Sequence, residues 1–317
     1  KVDILPSNHP ASNLHGHNFT ARTRVVLDDT WAKVPGNEIQ ELKTKLDKAI
    51  EPFNYCYLND VIPVPTDENL SRKIIESLNL PGIESLGIAS TRNQGADVES
   101  NSNKIHVWKR FQFDAAHQLP HVPEGHKCGR MHGHGFEVVL HAIQDIKGQD
   151  MGVDFDYLEE IWNPLQEDLH HKCLNDISGL ENPTSEMLAT WIWNRLKLDF
   201  PQLSWVTVYE TVSAGCHYDG AQYRIWKEQR FEAALSLNDG RNDSIYGHSY
   251  IIRLHLNSPL DEVLGWIMDY GDVKEIFKPT LKQLDHYYLN EVEGIKDASL
   301  PGLTQWIKSK LETKLPA

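Results

Sequence analysis

KCGRMHGHGF, residues 127–136, sets a cysteine four residues before the first of two histidines that flank one glycine. NLHGHNF (13–19) repeats the histidine pair without the cysteine, and SIYGHSY (244–250) keeps only one of the histidines. The central glycines, Gly16, Gly133 and Gly247, stand 117 and 114 residues apart, so the period is that of a domain. Other runs recur in step. YLND (57–60), CLND (173–176) and YLNE (288–291) each close a helical segment. PTDENLSRKIIESL (65–78) answers PTSEMLATWIWNRL (183–196), and HVWKRFQFDAA (106–116) answers YRIWKEQRFEAA (223–234). The chain therefore reads as three tandem units, 1–109, 110–229 and 230–317, the middle one complete and the outer two degenerate.

In the middle unit, RFQFDAAHQL (110–119) and GFEVVLHAI (135–143) alternate apolar and polar residues, the mark of half-buried strands. FDYLEEIWNPLQEDLHHKCL (155–174) has helical spacing, with Pro164 as a point of kinking or splitting. Thr184 starts a second helix, with Glu186 in its first turn. LSWVTVYETV (203–212) and AQYRIWKE (221–228) return to strand. The order β-β-α-α-β-β predicts an α+β fold, an antiparallel sheet with helices on one face. The first unit begins at the end of its first strand, and the third stops after its second helix.

Nine Trp, eleven Tyr and nine Phe in 317 residues are enough for real cores, so the chain is globular. No run of 18 apolar residues spans a membrane. A net charge of −14 disfavours a nucleic-acid partner. Four cysteines in so long a chain make no disulfide framework and fit a reducing, cytoplasmic compartment.

Alternate residues of a strand share a face, so His132 and His134 project together, and His117 on the preceding strand offers a third imidazole. Three neutral imidazoles with an open position describe a catalytic zinc site. With Cys128 as fourth ligand the same residues would make a closed structural one. If it is not a ligand, Cys128 lies beside a dication, Lys127 and Arg130, charges that favour a thiolate base or nucleophile. Cys173 and Cys216 read as packing residues. Glu210, with Thr211 after it, ends an apolar strand; its carboxylate suits the N–H pair of a 2-amino-4-oxo pyrimidine ring.

FDAAHQLPHVPEGHKCGRMHGHGF (113–136), LHHKCLNDISGLENPTSEMLATWIW (169–193) and VTVYETVSAGCHY (206–218) resemble the 6-pyruvoyltetrahydropterin synthase superfamily, in particular its 6-carboxytetrahydropterin synthases of queuosine and deazapurine biosynthesis. The resemblance covers the middle unit and continues in GWIMDYGDVKEIFKPTLKQLDHYYLNEVEGI (265–295). The three-residue gap in Cys-x-x-x-His-Gly-His is typical of the carboxy enzymes. It implies the tunnelling fold, in which three units close a β-barrel and two rings stack. For this chain that means a pseudo-trimer, and a homodimer forming a pseudo-hexamer. It implies zinc on His117, His132 and His134, a catalytic Cys128 and a pterin-anchoring Glu210. The implied substrate is 7,8-dihydroneopterin triphosphate, cleaved to 6-carboxytetrahydropterin, acetaldehyde and triphosphate. A pyruvoyl-type elimination and a non-catalytic pterin-binding scaffold are the alternatives.

The family's Asp-His pair is broken in the middle unit, where LHHKCLN puts His170 in the aspartate's place and keeps His171. The first unit has Asn54 and Tyr55; the third keeps Asp285 and His286. The zinc set is lost the other way. Leu235, Asn242 and Tyr246 stand in the third unit for His117, Cys128 and His132, while the first keeps His15 and His17 but has Ala11 and Ser90 for Cys128 and Glu210. The expectation is one composite active site, with Asp285 and His286 completing the middle unit's metal and thiol, and His171 as the alternative.

Overall fold

In the computed structural model, which describes residues 1–26, 38–78, 80–100, 102, 104–145, 151–236 and 245–315, a single sheet runs through all three units. The first unit supplies β1 (Thr20–Val25), helices α1 (Glu38–Ile50) and α2 (Asp67–Leu78), then β2 (Ile83–Thr91) and β3 (Gln94–Glu99). β4 (Lys104–His117) and β5 (His132–Asp145) follow, then α3 (Phe155–Leu169), the short β6 (Lys172–Cys173) and α4 (Ser185–Leu196). β7 (Leu203–Thr211), β8 (Ala214–Tyr218), β9 (Tyr223–Leu235) and β10 (Tyr246–Asn257) lead to α5 (Tyr270–Leu284), β11 (Tyr287–Tyr288) and α6 (Leu300–Leu311). Neighbours along the path β1-β2-β3-β4-β5-β7-β8-β9-β10 are antiparallel; β6 and β11 add short parallel pairings to β4 and β9.

Two strands do double duty. Residues 105–109 of β4 pair with β3, while its whole length pairs with β5. Residues 223–227 of β9 pair with β8, and 224–235 pair with β10. The divisions at 109/110 and 229/230 therefore fall inside strands that neighbouring units share.

Helices cover one face. The sheet side of that core is built from Leu86, Val98, Ile105, Val138, Leu140 and Val206, none more than 3% exposed. In the middle unit Leu158, Trp162, Leu188 and Ile192 of α3 and α4 close over it. Thr184 caps α4 by accepting Met187 N–H at 3.1 Å, the helix start that the sequence indicated. α3 runs unbroken through Pro164. The carbonyl that Pro164 leaves unpaired belongs to Glu160, which is exposed, so water can satisfy it.

The other face is polar and curls. Arg22 of β1 and Trp205 and His217 of β7 and β8 line one cavity of about 920 Å³. Arg22 pairs there with Asp97, Arg110 with Glu137 and Arg253 with Glu228. The sheet nevertheless stays open in the single chain: β1 and β10 are its outer strands among the described residues. No helix of the described residues is long and apolar enough to cross a membrane.

Candidate metal centre and active-site pocket

His117 and His132 face each other directly across the β4–β5 ladder, and His134 follows on the same face of β5. Their ligand nitrogens all lie within 4.8 Å of one another. Gly133 eases the close approach of the two strands here, since a Cβ there would stand 3.1 Å from the Ala115 carbonyl oxygen.

The protonation of this set follows from its partners. His117 Nδ1 lies 3.0 Å from Pro183 O and His132 Nδ1 lies 2.7 Å from Arg130 O. A carbonyl only accepts, so both Nδ1 atoms carry the proton and both Nε2 lone pairs are free. His117 Nε2 and His134 Nε2 are buried without a partner. Burial pushes His117 down to about 4 and, with the charge of His132, lowers His134. Three imidazoles whose ligand nitrogens converge in this way, two of them with a buried Nε2 that has no hydrogen-bond partner, are the donor set that zinc takes.

Cys128, on a single 3-10 turn at Lys127–Gly129, is not within that group; it clusters with His126 and Asp269. His126 Nδ1 accepts Cys128 N–H at 3.2 Å, so neutral His126 holds its proton on Nε2, 3.6 Å from Asp269 Oδ2. With Nδ1 occupied by the Cys128 N–H, the free ring nitrogen of His126 is the one on the Asp269 side. The sequence placed Cys128 among charges that favour thiolate. Among the protein's own groups, burial first, then Asp269 and Glu210, raise the thiol, and Lys127 opposes them in part.

Glu210, at the end of β7, stands 3.6 Å from His134 Nε2. Burial, then Glu186 and Asp269, push its carboxyl up to about 7. Glu210, Thr211, Cys128, His132 and His134 line one cavity of about 550 Å³, whose far wall is Tyr270, Gly271 and Lys274 of α5. The pocket thus lies between the second and third units.

The joint that builds it is polar and buried. Glu186, 2% exposed, accepts Ile267 N–H at 3.0 Å. Thr184 hydroxyl donates to Gly265 O at 2.7 Å and Asn182 Nδ2 to Leu264 O at 2.8 Å, while Ser185 and Tyr270 hydroxyls meet at 2.8 Å. Glu68 repeats the motif one unit earlier, accepting Gly152 N–H at 2.6 Å. Sequence reasoning missed Asp269, Lys274 and the latching role of Glu186. The signal available was the repetition of PT-x-E and of an aspartate before each long helix (Asp154, Asp269).

Asp285 and His286 are not brought to this pocket within one chain. They lie beyond the C-terminal end of α5, which starts at the pocket and runs away from it for 15 residues, about 20 Å. Asp285 Oδ1 accepts Glu232 N–H at 3.0 Å and faces His286 Nδ1 at 3.0 Å. His286 lines a separate recess of about 490 Å³ with Glu232, Gly247 and Tyr287. His171 does not line the pocket either: its backbone N–H donates to Asp114 O at 2.7 Å, on the strand that carries His117, and its ring stacks on His170. Tyr55, His171 and His286 share a left-handed backbone, with φ of 53°, 58° and 63°. All three units keep that strained conformation at the same position. His15 and His17 sit edge to face with centroids 5.0 Å apart, and among the described residues no third ligand joins them. Asn242 lies outside the described residues.

A family model for 6-pyruvoyl tetrahydropterin synthase matches residues 3–99, 106–221 and 224–317. A Synechocystis 6-carboxy-5,6,7,8-tetrahydropterin synthase is 42% identical over 119 residues, 35% of this chain and 91% of that one. A dihydroneopterin monophosphate aldolase from Pyrococcus furiosus is 32% identical over 98 residues, 31% of this chain and 80% of its own. The 6-pyruvoyl tetrahydropterin synthase structure from Caenorhabditis elegans aligns with 37% of this chain and 96% of that one, at 21% identity and a TM-score of 0.35. With matches across all three segments, the chain belongs to the 6-pyruvoyl tetrahydropterin synthase family, as a tandem repeat of three of its units.

Proposed function

We propose that the protein is a zinc-dependent 6-carboxytetrahydropterin synthase that converts 7,8-dihydroneopterin triphosphate to 6-carboxytetrahydropterin, acetaldehyde and triphosphate, in the cytoplasm and in queuosine or deazapurine synthesis. The observation that carries this is one pocket holding His132, His134, Cys128 and Glu210, with His117 behind, at the joint of two units. The likeness of 119 residues of this chain to the Synechocystis enzyme supports the carboxy reaction in particular.

His117, His132 and His134 would hold zinc, which when bound supplies a Lewis acid for the substrate's side-chain hydroxyls. Glu210 and Thr211 orient the pterin. The ring's N–H pair stabilises the ionised carboxylate that burial otherwise disfavours. The raised Cys128 thiol holds its proton at the pocket wall, where it can be delivered to or taken from the side-chain carbon. Its relay partner, Asp285–His286 or His171, comes from a second copy of the chain. What supports this is that His171 and His286 are exposed, left-handed residues that take no part in lining their own chain's pocket. A homodimer forming a pseudo-hexamer, with rings closed across chains, is the assembly this requires.

The test is product analysis of zinc-loaded protein with dihydroneopterin triphosphate. Acetaldehyde with carboxypterin supports the reading. A pyruvoyl product replaces it with the elimination reaction, and tight binding without turnover replaces it with a scaffold.

A further inference from the structure

The repeat lets one joint be read against the other. Lys109 and Lys227 hold the same register: Lys109 pairs with Gln94 of β3 and Lys227 with Ala214 of β8, and each follows a tryptophan paired with a glycine. Asp154 and Asp269 both cap the long helix that follows, so Glu159 and Lys274 are equivalents on α3 and α5. At the joint of the first and second units Lys109 Nζ donates to Glu159 Oε2 at 2.6 Å and to Phe155 O at 2.9 Å. Its charge is neutralised there. At the joint of the second and third units, Lys274 replaces that glutamate and Lys227 Nζ reaches only Ser213 Oγ, at 3.0 Å.

A third cation faces the same space. Lys127, where the first unit has Pro10, puts its Nζ 3.5 Å from where a Cβ on Gly271 would stand. Lys127, Lys227 and Lys274 all line the cavity of about 550 Å³. Among the described residues none of the three has a carboxylate within ion-pair distance. The two nearby acids are committed elsewhere. Asp269 caps α5 through Gly271 N–H at 2.6 Å and faces His126, and Glu210 lies beside His134. Burial first, then the charges of Lys274 and Lys127, lower Lys227, and Glu210 and Asp269 offset this only in part, so the ammonium groups repel one another across the pocket. A cationic wall whose charge is only partly offset is costly unless an anion fills it. The joint that lost the cysteine and the glutamate has also lost this wall.

We propose that Lys127, Lys227 and Lys274 form a polyphosphate cradle at the metal pocket, two lysines coming from the second unit and Lys274 from the third, which thereby serves the second unit's site although it lacks zinc ligands of its own. This rests on the pterin triphosphate reading above and deepens it: the lysines hold the tail phosphates while Glu210 holds the ring.

The experiment is calorimetric titration of the zinc-loaded full chain with inorganic tripolyphosphate, together with KM for the pterin triphosphate. Lys274→Glu, which installs the residue of the other joint, should weaken tripolyphosphate binding by about 10- to 100-fold, and Lys274→Gln by about tenfold. Lys296→Glu, an equal change of net charge on an exposed loop, should change it less than about twofold. Zinc content and melting temperature should stay the same in all three. Equal effects of K274E and K296E, no tripolyphosphate binding by the parent, or an unchanged KM in K274E would each overturn the cradle. Lysine-dependent tripolyphosphate binding by a protein that releases no pterin product would instead sink the proposed reaction and leave the cradle standing.

Discussion

Replacing Glu186 by Gln probes the joint on which the pocket depends. The carboxyl is 2% exposed, accepts Ile267 N–H at 3.0 Å and Ser185 O–H at 3.0 Å, and is raised by burial to about 7. A carboxyl raised from its ordinary value of 4.5 is protonated in the fold at pH values where the unfolded chain has already released the proton. Stability from this group therefore falls as pH rises from about 4.5 to about 7, and is level above that. The shift corresponds to about 3 kcal/mol. Gln keeps the acceptor for Ile267 and cannot ionise, so it removes the slope. Histidines such as His117 and His217, held down to about 4, tilt the curve the other way, so only the difference between variant and parent isolates Glu186. The assay is thermal melting of both proteins at pH 5 and pH 8 with chelator present, which removes metal linkage. The advantage of the Gln variant should grow between the two pH values by roughly 5–10 °C, at about 2–4 °C per kcal/mol for a chain of this class. Growth of less than about 2 °C would mean that the carboxylate is solvated and the joint is not the buried latch described.

His117→Ala should lower bound zinc from about one ion per chain to near zero by elemental analysis, with unchanged circular dichroism. Because burial holds His117 down to about 4, protonation of His117 itself should compete with zinc only as pH falls towards 4. Cys128→Ala and the double variant Asp285→Asn with His286→Ala should each be inactive alone, and mixing the two chains should restore turnover. Failure to complement, or full activity of the double variant, would remove the third unit's pair from the mechanism and turn attention to His171.

The three-fold repeat, the strand alternation and the shared face of His132 and His134 were legible because each depends on local spacing. Pairing of His117 with them needed only one hairpin, still a near-neighbour event. The fold class followed from the same periodicities. The long helix through Pro164 shows the limit of a local rule, since the exposure of Glu160 softened the cost of the missing hydrogen bond. The sharing of β4 and β9 between units was harder to see, because HVWKRFQFDAAH reads equally well as one strand or as two abutting ones.

Spacing along the chain determined which residues could bind a metal, and in which unit. The tertiary structure alone decided what stands opposite them. Asp269 and Lys274 are about 140 residues from Cys128 in sequence, and no periodicity links them. The same holds for the thiol: Lys127 and Arg130 are its sequence neighbours, yet burial and two carboxylates from other segments set its direction. It also holds for Asp285 and His286, which sequence logic carried to the metal and which a 15-residue helix carries away. Electrostatic energy and chain geometry depend on distance in space, and that is fixed only when the units have docked.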